Sequence, residues 1–242
     1  MDPIPGLVIL DPPLSGPRNM EIDDALLKNA RPDWPVVLRI YRWEVPTLSL
    51  GHFQQIEERE SSQGLMQLPW VRRRTGGGAI VHDRELTYSI VLPKRDGQPT
   101  KGHNEALYRA IHLQFVHELG KQGWDAKLAE TCTCKLSPEQ KSEPFLCFSR
   151  RSPVDLIVGR DKILGSAQRR SVSGLLQHGS FLLQGSESTP QLPGLLDLEV
   201  RSALGNGIAA WQNFFIATLK DGVDQLLQVR WQNGKLLQLL DL

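Results

Sequence analysis

No run of apolar residues in this chain is long enough to cross a bilayer, so the sequence argues against a membrane-spanning protein. Cysteine is scarce, with Cys132, Cys134 and Cys147 the three present. An odd, low count argues against a disulfide framework and for a reducing, cytoplasmic setting. Partners for a zinc site around Cys132-x-Cys134 are missing too, so those thiols read as surface cysteines and no metal is expected. The first ten residues lack the charged and apolar segments of a secretory leader. Charge of one sign is not in excess: 28 Lys+Arg against 27 Asp+Glu leave +1. That removes the global positive field expected of a nucleic-acid-binding protein. No internal repeat, low-complexity tract or linker divides the 242 residues, a length that can bury a sizeable core.

What positive charge there is lies in local groups, at Arg72 to Arg74, Arg150-Arg151 and Arg169-Arg170. The first group leads into the most informative stretch, Arg72-Arg73-Arg74-Thr75-Gly76-Gly77-Gly78, followed by His82-Asp83. Glycine reaches backbone conformations closed to other residues and lets a ligand approach the main chain. Successive N–H groups in such a loop can form an anion-binding nest.

Periodicity predicts a helix over 20–30 capped by Asn19, with Leu26, Leu27 and Ala30 inward. Alternation predicts a strand from Val36 to Trp43, with Val36, Leu38 and Ile40 on one face. Further strands are expected at 47–50, 70–73, 86–92, 154–158, 162–167 and 181–183. Leu107, Ile111, Phe115 and Leu119 recur every fourth residue, a helix ended by Gly120 and Gly123. The polar stretch 128–145 reads as a surface loop. A helix is expected over 211–219 with Phe214, Phe215 and Leu219 inward. After it, 226–240 reads either as a hairpin turning at Asn233-Gly234 or as a broken helix. Strict βαβ alternation is absent, so the class is α+β, one domain around a mixed sheet.

A second stretch, Lys162-Ile163-Leu164-Gly165-Ser166-Ala167, continues to His178-Gly179-Ser180. A lysine fixed there can point its ammonium into a cleft. Cys147, in an apolar setting, is by context either core packing or a thiol that a nearby ammonium activates. Spacing alone does not decide between them. His82 and His178 read as hydrogen-bonded structural histidines rather than general bases.

These segments together resemble the lipoate-protein ligase and octanoyltransferase branch of the biotin/lipoate protein ligase superfamily. The resemblance runs from about Ser15 to Leu183 through five segments in order: 15–20, 38–43, 46–54, 72–83 and the Lys162 motif with Gly165-Ser166-Ala167. It implies a single mixed, mainly antiparallel sheet flanked by helices, without a C-terminal accessory domain. It implies transfer of an octanoyl or lipoyl group to a lysine of a lipoyl domain or of glycine-cleavage H protein. By this likeness Cys147, fifteen residues before Lys162, sits where cysteine-dependent octanoyltransferases carry their nucleophile, with Lys162 as its catalytic partner. Arg73, Thr75, Gly76, Gly77, Gly78, His82, Gly165, Ser166, Ala167, His178 and Gly179 are the implied substrate-binding residues. On the thioester route the donor is acyl carrier protein and no cofactor is needed. An ATP- and Mg-dependent lipoate ligase, with Cys147 a bystander, is the alternative chemistry, and a non-catalytic acyl-binding module is a third reading.

Overall fold

The computed structural model describes residues 3–61, 63–95, 103–131, 144–198, 204–205, 207–236 and 239. In chain order the elements are β1 (Ile4–Leu10), α1 (Gly16–Asn29), β2 (Val36–Tyr41), β3 (Thr47–Leu50), β4 (Trp70–Arg72), β5 (Ile80–His82), β6 (Glu85–Pro93) and α2 (His103–Lys121). They continue with β7 (Ala126–Leu128), β8 (Leu156–Val158), β9 (Asp161–Arg170), β10 (Gly174–Leu182), α3 (Ile208–Asp224) and β11 (Val229–Asn233). Cys132 and Cys134 lie outside the described residues, as does most of the expected polar loop.

One eight-stranded sheet runs β11-β1-β2-β6-β10-β9-β8-β7. The β11–β1 and β1–β2 pairs are parallel and the other five antiparallel. A three-stranded sheet, β4-β3-β5, stands apart from it. The class is α+β, as the sequence implies.

Helices cover both faces of the large sheet, which is why all six residues of β2 are buried. The expected alternation decides which goes where. Val36, Leu38 and Ile40 face the core shared with α2 and α3, while Val37 packs with Leu7, Ile9 and α1 on the other side. The α2–α3 core centres on Phe115, Phe181 and Phe215, whose ring centroids stand 5.4 Å apart in each pair. Burying each ring stabilises the fold by about 1.5–3 kcal/mol. Trp211, Phe215 and Leu219 of α3 belong to this core, and β11 joins the same sheet beside β1.

Several elements depart from expectation. α1 begins at Gly16 with Pro17 in its first turn and Ser15 as N-cap, the usual place for a proline with no N–H to lose. Asn19 is therefore not the cap. It is fully buried, donating to the Leu14 and Arg42 carbonyls and accepting from Arg39 at 2.7 Å. Of the hairpin or broken helix expected over 226–240, residues 237, 238 and 240 lie outside the described residues. Val229–Asn233 is a strand parallel to β1, and β1 itself gave no pattern because Pro3, Pro5 and Gly6 interrupt it. Gly6 is the packing site, since a Cβ there would stand 2.7 Å from Trp231 Cε3. β5, three residues long, is too short to register as alternation.

Candidate active site

The small sheet and α1 face the large sheet across a pocket of about 430 Å³, open mouth included. Its floor follows from strand register. Tyr41 of β2 pairs with Thr87 of β6, Thr87 with Ser180 of β10, and Ser180 with Gly165 of β9. Directly paired residues point to the same face, so these four form one row along the pocket. Met20, Trp43 and Ile80 add apolar walls, and Cys147 lines the same pocket.

Cys147 begins a single 3-10 turn (Cys147–Ser149). Its N–H donates to the Ala79 carbonyl at 2.7 Å, and the Ala79 N–H to the Phe145 carbonyl at 2.9 Å. This bridge lashes the cysteine segment to the end of the glycine loop. Gly78 is required by that approach, because a Cβ there would stand 2.8 Å from Cys147 Cα. Lys162 reaches the same point from β9. Its Nζ lies 3.6 Å from Cys147 Sγ and 3.3 Å from the Cys147 carbonyl oxygen. Asp155 Oδ2 pairs with Nζ at 2.8 Å, both side chains buried. The lysine stem folds back over its own strand, and a Cβ on Gly165 would stand 2.5 Å from Lys162 Cε. Gly165 is thus the space the lysine occupies.

Gly77 has φ 92°, a left-handed conformation, and the loop carbonyls turn to a cation. Arg73, buried, donates to Gly76 O at 3.2 Å and Gly78 O at 2.9 Å, and to Ser49 O and Oγ at 2.7 Å each. Burial lowers the proton affinity of Arg73, while the nearby Cys147 sulfur and Tyr41 act the other way. Ser49 Oγ continues to His82 Nε2 at 2.6 Å, and His82 Nδ1 to Glu85 Oε1 at 2.5 Å. Ser49 Oγ accepts from the arginine and shares a second hydrogen bond with His82 Nε2. Burial lowers the His82 pKa despite Glu85 and favours the neutral ring. Arg72 binds the Gly51, His52 and Gln54 carbonyls, and Arg74 pairs with Asp24 at 2.8 Å.

His178 lines the pocket between Thr75 Oγ1, 2.6 Å away, and Asp23 Oδ2, 3.5 Å away. Asp23 also accepts from Arg39 at 2.9 Å, Tyr41 at 2.9 Å and Ser89 at 2.8 Å. Burial alone would raise the Asp23 carboxyl, but the His178 hydrogen bond and the Arg39 charge hold it below its ordinary value. Ser166, implied as a binding residue, turns its hydroxyl away from the pocket. It meets Tyr88 Oη and His112 Nε2, each at 2.8 Å. His112 Nδ1 donates to the Val154 carbonyl at 2.5 Å.

His112 gives a pH prediction. Burial lowers its pKa from 6.5 to about 4, against the pull of the Val154 hydrogen bond. The unfolded chain protonates this histidine near 6.5, the folded one only near 4. Its contribution is complete above 6.5 and is lost as the pH falls towards 4, on the order of 3 kcal/mol. Urea unfolding at about pH 7.5 and about pH 5 checks this, since His112→Gln should lose less stability between the two than wild type.

The implied residues do converge: Arg73, Gly76, Gly77, His82, Cys147, Gly165, Ser166, Ala167, His178 and Gly179 all line the pocket. Thr75 and Gly78 stand behind it as hydrogen-bond and packing partners. Lys162 meets it at Cys147. Sequence reasoning missed Asp155, Ser49, Glu85, Asp23 and His112. Single polar residues carry no periodic signal, and each gains its role from partners 3 to 155 positions away. Among the described residues no cluster of ligands suited to a metal occurs. No helix among them is long and apolar enough to cross a membrane.

Fold and site together make the chain a member of the biotin/lipoate protein ligase superfamily. More narrowly, it belongs to the lipoyl protein ligase A/B catalytic domain family, which matches residues 15–201. A relative named octanoyltransferase LipM from Kyrpidia tusciae is 37% identical over 176 residues, 68% of this chain and 61% of that protein. The Bacillus subtilis protein of the same name is 36% identical over 173 residues, 70% of this chain and 62% of that protein. The chain thus matches about three fifths of the length of these curated relatives. A Thermoplasma acidophilum protein solved with bound lipoic acid has the same fold, with TM-score 0.67 at 19% identity, covering 96% of this chain and 90% of that one. A lipoate-protein ligase A solved with ATP superposes with TM-score 0.63 at 19% identity, covering 96% and 89%.

Proposed function

We propose that this chain is an octanoyltransferase catalytic domain that carries an octanoyl group on Cys147 and delivers it to a protein lysine. The observation that carries this reading is the Cys147 thiol, 3.6 Å from the Lys162 ammonium on the wall of a largely apolar pocket. A lysine held against a bystander cysteine has no use for that contact, whereas a nucleophilic thiol needs a cation beside it.

In the first half-reaction the Cys147 thiolate attacks the carbonyl of an octanoyl thioester, and Lys162 stabilises the oxyanion. The S–acyl bond of the donor breaks and its thiol leaves with a proton. In the second, the amine of the target lysine attacks the thioester on Cys147. An amide forms and the cysteine thiol is regenerated. The tail fills the pocket lined by Met20, Tyr41, Trp43 and Ile80. Burial of about seven apolar carbons, each worth ~0.8 kcal/mol, supplies roughly 5–6 kcal/mol before association costs.

The donor in this reading is acyl carrier protein, and the acceptor is a lipoyl domain or glycine-cleavage H protein. The reaction needs no cofactor and takes place in the cytoplasm. The exposed pair Arg169-Arg170 offers positive charge to an acidic carrier. The names of the curated relatives support octanoyl transfer over ATP-dependent ligation.

The test is the intact mass of the protein after incubation with octanoyl-acyl carrier protein, without ATP. An adduct of one octanoyl group, mapped to Cys147 and discharged by a lipoyl domain, is expected. No adduct, together with lipoate attachment that requires ATP and Mg, would establish the ligase reading. Failure of both would leave an acyl-binding module.

A further inference from the structure

We propose that Asp155 is a positioning residue for acyl transfer, holding Lys162 against Cys147 and offsetting its charge so that the thiol keeps its nucleophilicity. The inference rests on the reading of Cys147 as nucleophile. Asp155 Oδ2 takes the Lys162 ammonium at 2.8 Å, closer than Sγ at 3.6 Å, and both side chains are at most 5% exposed. The carboxylate is itself fixed. The same Oδ2 accepts the Ser152 N–H at 2.6 Å, and the Asp155 N–H closes that turn on the Ser152 carbonyl at 3.0 Å. Its carbonyl accepts from Ala129, beyond β7, at 2.8 Å. A flexible lysine is thus held at both ends of its reach, by the Gly165 gap along its stem and by Asp155 at its head.

The charge balance gives the pair a second consequence. An unopposed ammonium in a buried site stabilises a neighbouring thiolate strongly. A strongly stabilised thiolate is a weaker nucleophile, and thioester exchange is fastest for a thiol that ionises near the working pH. Asp155 partly cancels the Lys162 field at sulfur. The other groups whose charge is felt at or near Cys147 are Arg73 from the glycine loop and Tyr108 from α2, with His112 sensing the Asp155–Lys162 pair; the Arg150 guanidinium is taken by the Pro144 carbonyl.

The test follows alkylation of Cys147 by iodoacetamide against pH, read on its own peptide by mass spectrometry, in the full chain. Relative to wild type, the half-maximal pH should fall in Asp155→Asn and rise in Lys162→Met. The double variant should lie between the two. Octanoyl transfer by Asp155→Asn should drop roughly 10- to 100-fold in kcat, with KM for the carrier thioester little changed. Asp155→Glu should keep the wild-type alkylation midpoint and lose less activity. The inference is overturned if Asp155→Asn leaves the midpoint in place or raises it, or if its loss of transfer only tracks the unfolded fraction. Should Asp155→Asn not fold, the double variant, which removes both buried charges, carries the comparison with Lys162→Met, and equal midpoints overturn the inference. Alkylation is read without any acyl donor. A wild type that forms no octanoyl adduct therefore counts against the proposed function and leaves this ordering to be judged separately.

Discussion

Cys147→Ala is expected to abolish the octanoyl adduct and to lower transfer to a lipoyl domain by roughly 10³-fold or more. The loss should fall on kcat, because the variant removes the atom that forms the covalent bond and leaves the pocket intact. Stability should hardly move. Cys147 is only partly buried, and its backbone bonds to Ala79 and Arg150 do not depend on the side chain. Thermal unfolding and the adduct mass are measured on the same sample, so loss of fold and loss of chemistry separate cleanly. Cys147→Ser is the sharper variant. It keeps an oxygen near the position of Sγ but one far less nucleophilic at neutral pH, and it should be nearly as inactive. A Cys147→Ala protein that still transfers octanoate at the wild-type rate would remove the thioester from the mechanism.

Lys162→Met is expected to reduce kcat by roughly 10²- to 10³-fold through the loss of oxyanion stabilisation. Unlike the cysteine change it should also destabilise the fold. Lys162 and Asp155 form a buried pair at 2.8 Å, and removing one partner strands the other charge, which costs about 3–5 kcal/mol. Adding Asp155→Asn to Lys162→Met should return much of that stability while leaving transfer at the low level. Urea unfolding of the single and double variants, alongside transfer assays, distinguishes the two contributions of Lys162. If the single variant were inactive and the double variant active, Lys162 would be structural only.

Much of this was legible in the sequence. The fourfold recurrence of Leu107, Ile111, Phe115 and Leu119 is the buried face of α2, and Val36, Leu38 and Ile40 share one face of β2. Both follow from local geometry, since a helix repeats near every fourth residue and a strand every second. The glycine triplet, Cys147 and Lys162 were legible as an ordered set. The resemblance gave them a purpose that residue types and spacing alone did not. The triplet suggested backbone N–H groups aimed at an anion. In the fold its carbonyls are held by Arg73, and Gly78 makes room for Cys147.

The sequence by itself determined which segments are helix and strand at the centre of the sheet, where apolar period and burial coincide. It also determined which residue types are available to the site. Tertiary structure alone decided the edges and the polar contacts. β11 pairs with β1 across nearly the whole chain, Asp155 and Asp23 became the counter-charges of Lys162 and Arg39, and Glu85 became the hydrogen-bond partner of His82. The physical reason is range. Backbone propensity and apolar periodicity act over a few residues. An ion pair or hydrogen bond acts over a few ångströms of space, and the fold must first bring distant residues that close.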